Sequence, residues 1–207
     1  MLISLLFQNP LAFVFLTIAL IISISFHEAA HAFMATKLGD PTARALGRAT
    51  LNPAKHLDPI GTLLLLVAGF GWGRPVPFDP SYFKNPKRDT ALVSFAGPAS
   101  NFLLATIFAL LLQVLPSVRG AGLISTLLYL IVFYNLVLGF FNLIPIHPLD
   151  GFKVVYGLLP YDLAVQWMQM APYGVWILMI LILTRATSGI LQPLLNFSLQ
   201  LLGLGKF

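Results

Sequence analysis

Polar interruptions rich in glycine and proline divide this chain into long apolar runs. The first run predicts a helix from about Pro10 to Leu38, stopped by Gly39-Asp40-Pro41. From Leu11 to Ser25 it carries no ionisable side chain, and such a helix is long enough to cross roughly 30 Å of hydrocarbon. Ala45 to Pro53 reads as extended chain. Pro59 to Phe70 is apolar but too short to span, and its flanks Lys55 and Arg74 are both basic. A segment that enters and leaves on one face, re-entrant or interfacial, satisfies both observations. Gly73 to Pro80 is again extended and proline-rich.

Asp89 to Leu115 predicts a second span, interrupted at Gly97-Pro98, and Pro116 to Gly120 a short external loop. A third span runs from about Ala121 to Leu143, and Pro145, Pro148 and Gly151 should unwind the chain near Asp150. A short helix to Leu159 precedes a fourth span, Asp162 to Thr184. Ser188 to Leu204 is a fifth span or a surface helix, its lipid-facing character weakened by Gln192, Pro193, Asn196 and Gln200. The fold class is therefore an all-α polytopic membrane protein. Four to six transmembrane helices are expected, with a small re-entrant or extended membrane-embedded segment between the first two.

Composition agrees. With 58% hydrophobic and 9% charged residues among 207, the chain reads as one membrane domain, residues 1-207. Its core is about 10-160, with C-terminal helices at about 161-205. No cleavable signal peptide is expected, because the first ten residues hold no Lys or Arg. The net charge of +5 is concentrated: eight of the twelve basic residues lie between Lys37 and Arg88. That distribution fits topology and lipid contact rather than nucleic acid, and puts residues 39-88 on the cytoplasmic side with the N-terminus outside. There is no cysteine, so a metal would need His and carboxylate ligands.

The candidate chemistry lies inside the first span, at His27-Glu28-Ala29-Ala30-His31. Two histidines four apart share a helix face and can reach one metal ion. Glu28, the only glutamate in the chain, sits close enough to take a proton from a water that the metal polarises. Ionisable groups at membrane depth are costly and normally mark function. The plain alternative, two packing histidines, leaves Glu28 in need of a partner of its own. A catalytic zinc site generally uses three protein ligands. Asp40, Asp58, Asp79, Asp89 and Asp162 fall in loops or near span ends, whereas Asp150 follows Asn142-Leu-Ile-Pro-Ile-His-Pro-Leu at the broken end of a span. His31 lies roughly 10 Å from the end of its helix, a depth that an unwound segment could meet.

With His27-Glu28-x-x-His31, Gly97-Pro98-Ala99-Ser100-Asn101 and Asn142 through Asp150-Gly151 in this order, residues 10 to 160 resemble the site-2 protease family of intramembrane zinc metalloproteases. The resemblance implies one zinc ion per chain held by His27, His31 and Asp150, with Glu28 activating water. It also implies that Asn101 and Asn142 position the substrate backbone or the developing oxyanion. The chain is too short for the PDZ or CBS modules of larger members and looks like a core-only prokaryotic form. The partners implied are the bilayer, in the prokaryotic inner membrane, and the transmembrane helix of a substrate protein. His56 and His147 are candidates for a supporting shell around the metal.

A helical substrate must unwind before it is cut. Arg48 to Asn52 and Pro75 to Phe78 are expected to form a small embedded sheet whose edge pairs with it. The competing functions are a membrane metal transporter, which also buries His and carboxylate ligands, and an inactive helix-binding scaffold.

Overall fold

The computed structural model describes residues 2–68, 71–114 and 122–205. A short helix α1 (Leu2–Gln8) leads into α2 (Pro10–Lys37), which starts where the Asn9 side chain accepts from Ala12 N–H and Pro10 presets the first turn. It stops where Gly39 takes φ of 107°. Between α2 and the next long helix lie α3 (Thr42–Ala45), a 3₁₀ turn at Pro53–Lys55, α4 (Pro59–Ala68) and a second 3₁₀ turn at Pro80–Tyr82. Then follow α5 (Pro86–Val114), α6 (Leu123–Asn142), α7 (Asp150–Leu158), α8 (Tyr161–Met168), α9 (Ala171–Leu183) and α10 (Ala186–Leu201).

Three of these helices, α2, α5 and α6, are long and apolar enough to span a membrane, and α8 with α9, bent by 63°, is either a broken fourth span or a re-entrant pair. The protein is an integral membrane protein with three or four spans among the described residues. The expected fourth span thus exists only as a bent pair. At 16 residues, α10 is short of the ~20 that a crossing needs. Instead it lays Leu195 and Leu199 on α6 and α5, where they join Ala105, Ala109, Val132 and Leu136 in the principal core. α4 is ten residues long and packs on α1, matching the expected non-spanning segment, although Phe70 itself falls outside the described residues. The expected loop from Pro116 to Gly120 also lies outside them.

Lipid supplies no hydrophobic drive between spans, so close packing carries the bundle, and small side chains permit it. On α2, Ala19, Ala29, Ala32 and Ala35 are buried together with Ser23 and Ser25. The hydroxyls of Ser23 and Thr36 return to backbone carbonyls one turn earlier, at Ala19 and Ala32, which removes their need for water.

Two expectations need correction. Gly97-Pro98 does not interrupt the second span: α5 runs through it, with Pro98 inside the helix. Proline at that place removes one hydrogen bond and opens the preceding turn without ending the helix. The embedded sheet is not formed either. Among the described residues there is one isolated bridge, Leu57 to Gly73, and no strand. Arg48 reaches across instead, donating to the carbonyls of Arg74 and Pro75. Two of the three residues at 75–77 are prolines with no N–H to offer a ladder, and the N–H of Val76 is already used by Glu28.

Candidate metal centre

α2 sets His27 and His31 one turn apart on a buried face, their Nε2 atoms 3.1 Å from each other. The chain leaves α6 at Asn142, turns through residues 143–149, and begins α7 at Asp150. That start brings Asp150 Oδ2 to 3.0 Å from His27 Nε2 and 3.2 Å from His31 Nε2. This is the one group of three metal-ligating side chains found among the described residues.

The surroundings fix which nitrogen carries each proton. His31 Nδ1 lies 2.7 Å from the Val93 carbonyl, an acceptor only, so Nδ1 donates. His27 Nδ1 lies 2.6 Å from Asn101 Oδ1. The Asn101 amide cannot be flipped, because its nitrogen donates to Ser23 O at 3.1 Å and to Asn135 Oδ1 at 2.8 Å. Asn135 in turn donates to Ile131 O. A relay therefore runs from α6 through α5 to His27 on α2, and together with the Val93 carbonyl behind His31 it turns both Nε2 lone pairs toward the Asp150 oxygen. Three electron-rich atoms facing one another call for a proton or a metal cation between them, and Asp150 Oδ2 has no hydrogen-bond donor of its own. Two imidazole nitrogens and one carboxylate, with Nδ1 anchored behind, are the donor set that zinc favours.

Backbone shape makes room for the rings. A Cβ at Gly97 would collide with His31 Nε2 and stand 2.7 Å from His27 Cε1. One turn before Gly97, the Val93 carbonyl receives His31 Nδ1. The absence of a side chain at Gly97 therefore shapes the centre.

The Glu28 carboxylate reaches residues 73–76. Its Oε2 accepts from Val76 N–H at 3.1 Å. That strap is pinned along its length: Arg74 N–H donates to His56 O, Arg48 holds the carbonyls at 74 and 75, and Asp79 N–H donates to Asp40 Oδ2 at 2.7 Å. Burial lowers the pKa of Arg48, the charge of Arg74 lowers it further, and attraction to Glu28 opposes both.

The other expected residues fall elsewhere. Asn101 is fully buried and spends both amide hydrogens on Ser23 and Asn135, so it has no donor left for an oxyanion. Asn142 turns its amide onto Leu138 O, one turn back in its own helix, as a cap does. His56 is fully buried and bonds Thr50 O through Nε2, bracing the loop under the strap. His147 packs edge-on against Phe152, and its backbone carbonyl lies against Gly174 of α9; burial, then the Lys153 ammonium, pulls its pKa below the ordinary histidine value. Neither belongs to the metal-ligating group. Asn135 and Val93 are neighbours of the centre that the sequence does not single out. Asn135 had a legible signal, an amide in the middle of an apolar span.

Comparison with known proteins agrees with this geometry. The model of "Peptidase family M50" matches residues 15–120 and 116–183. "Putative zinc metalloprotease YwhC" of Bacillus subtilis is 44% identical over 188 residues, covering 88% of this chain and 86% of that protein. "Putative zinc metalloprotease Rip2" of Mycolicibacterium smegmatis is 30% identical, covering 86% and 71%. "Zinc metalloprotease MJ0392" of Methanocaldococcus jannaschii is 28% identical over 153 residues, which is 73% of this chain and 36% of that protein. No solved structure matches. The chain is a membrane-embedded peptidase with a buried two-histidine, one-aspartate centre. It belongs to peptidase family M50.

Proposed function

We infer that this protein is a zinc endopeptidase that hydrolyses peptide bonds within or beside the transmembrane helices of other membrane proteins. His27, His31 and Asp150 hold the metal, and Glu28 is the general base. The observation that carries this reading is the convergence of two Nε2 atoms and one carboxylate oxygen within about 3 Å, next to the single glutamate of the chain.

Zinc held by His27, His31 and Asp150 would supply Lewis-acid chemistry, polarising a carbonyl and lowering the pKa of water to roughly 7. Glu28 takes the proton of the attacking water and returns it to the leaving amine. Val76 N–H orients the carboxylate through Oε2, which leaves Oε1 to handle the proton. The Asn135–Asn101–His27 relay keeps the His27 lone pair aimed at the metal, and Val93 O does the same for His31. Arg48, held among the strap carbonyls, keeps residues 74–76 over Glu28. The substrate helix must be extended at the cut, since helical peptide bonds are shielded by their own hydrogen bonds.

A metal transporter is the second reading, because it too would bury such ligands. Proteoliposomes loaded with a zinc-sensitive dye and a single-span substrate separate the two. Cleavage should occur, stop when a membrane-permeant chelator strips the metal, and return on adding zinc, with no dye response beyond that of empty vesicles. Zinc flux without cleavage would favour the transporter.

The basic residues between Lys37 and Arg88 argue for a cytoplasmic loop and an outside N-terminus in a prokaryotic inner membrane. Single cysteines at Ala45 and Asn85 of this cysteine-free chain should both react with an impermeant thiol reagent only from the cytoplasmic side. Labelling from opposite sides would make the segment at 59–68 a true crossing.

A further inference from the structure

A cavity of about 400 Å³ opens behind the strap, between residues 76–80, the start of α5, and the faces of α7 and α8. Val76, Pro77, Phe78 and Tyr156 give it mostly apolar walls, and Lys153 is the one cation that lines it. Two connections join it to the metal centre. Val76, which forms one wall, donates its N–H to Glu28. Lys153 follows Asp150 by three residues on α7, roughly 4.5 Å along the helix axis.

The Lys153 ammonium rests 4.8 Å above the Phe78 ring, and no carboxylate of the described chain lies within ion-pair distance of it. A cation parked on an aromatic wall, without an anion, at the side of a peptidase centre is arranged to receive one. The cavity shares Val76 with the Glu28 carboxylate and Lys153 with the helix that begins at Asp150, and about 400 Å³ is room for a few side chains of a bound segment.

Resting on the peptidase reading above, we propose that this cavity is a specificity subsite. It takes the substrate segment flanking the scissile bond, apolar next to the cut and carrying an Asp or Glu a few residues along, whose carboxylate pairs with Lys153. Phe78 holds the ammonium in place before substrate arrives, which lowers the entropy lost on pairing.

The test uses the full-length zinc-loaded protein in uncharged detergent with twelve-residue apolar peptides. One Glu or one Lys is stepped through every position. In wild type, one register should favour Glu over Lys by about fivefold in kcat/KM, the upper end for a partly exposed ion pair. The difference should lie in KM. K153M should bring the ratio near one, and K153E should invert it, both with zinc content retained as the sign of an intact fold. An unchanged ratio in both variants overturns the subsite. So does a preference that appears only when anionic lipid is added, which would assign Lys153 to a headgroup. If no peptide is cut, the peptidase reading fails by itself. Fluorescence anisotropy of the same labelled peptides on the Glu28→Gln protein then still decides the Lys153 ordering, and equal binding of Glu and Lys peptides to it overturns the subsite.

Discussion

Glu28→Gln should lower cleavage of a single-span substrate by roughly 10²–10⁴-fold, the range that a positioned general base contributes, while zinc content stays at one per chain. The two side chains have the same shape and nearly the same helix propensity, so α2 and its packing survive. The amide can still accept the Val76 N–H, which keeps the strap in place, but it cannot take a proton from water. Steady-state rates on reconstituted protein, with metal analysis of the same sample, check both halves. Near-wild-type turnover in the Gln variant would remove Glu28 from the chemistry and leave it as a strap anchor.

Loss of a ligand should act on metal first and on rate as its consequence. His31→Ala and Asp150→Ala should each leave the purified protein without stoichiometric zinc, since two ligands remain where three are usual. The relay predicts a graded series behind them. Asn101→Ala frees His27 Nδ1 from its acceptor and strands Asn135 Oδ1, so zinc affinity should fall about 10–100-fold, with occupancy restored by excess metal. Gly97→Ala touches no ligand atom in sequence terms. Its methyl nevertheless displaces both imidazoles, and it should bind zinc no better than Asn101→Ala. Competition with a chromogenic chelator ranks all four. Full retention of zinc by Asp150→Ala would place the third ligand elsewhere.

The pattern of apolar runs located α2, α5 and α6 to within a few residues, because only a long uninterrupted helix satisfies its backbone in lipid. The His27–His31 pair followed from helix periodicity, and Asp150 from its position at a broken span end. What stayed hidden was long-range. Pro98 reads locally as a breaker, yet α5 continues through it in the packed bundle, and the same stretch seats His31 at Val93 O. Residues 75–78 look like a strand by composition, but their prolines withhold the donors that a sheet needs. Asn101 and Asn142 are the same residue type at similar span breaks. One is sealed in a three-helix relay and the other caps its own helix, a difference that depends on what lies opposite each. α8 and α9 read as one run, and no residue type in Gln169-Met170 announces the bend.

The most direct test of the account is where the cut falls. A reconstituted single-span substrate, incubated with wild-type protein and analysed intact by mass spectrometry, should yield two fragments. Their new termini should lie inside the apolar segment or within a few residues of its end, at the depth of His27 and Asp150. Both fragments should be absent with the Glu28→Gln protein. Termini confined to a soluble flank far from the span, or fragments that appear equally with the Gln variant, would contradict it.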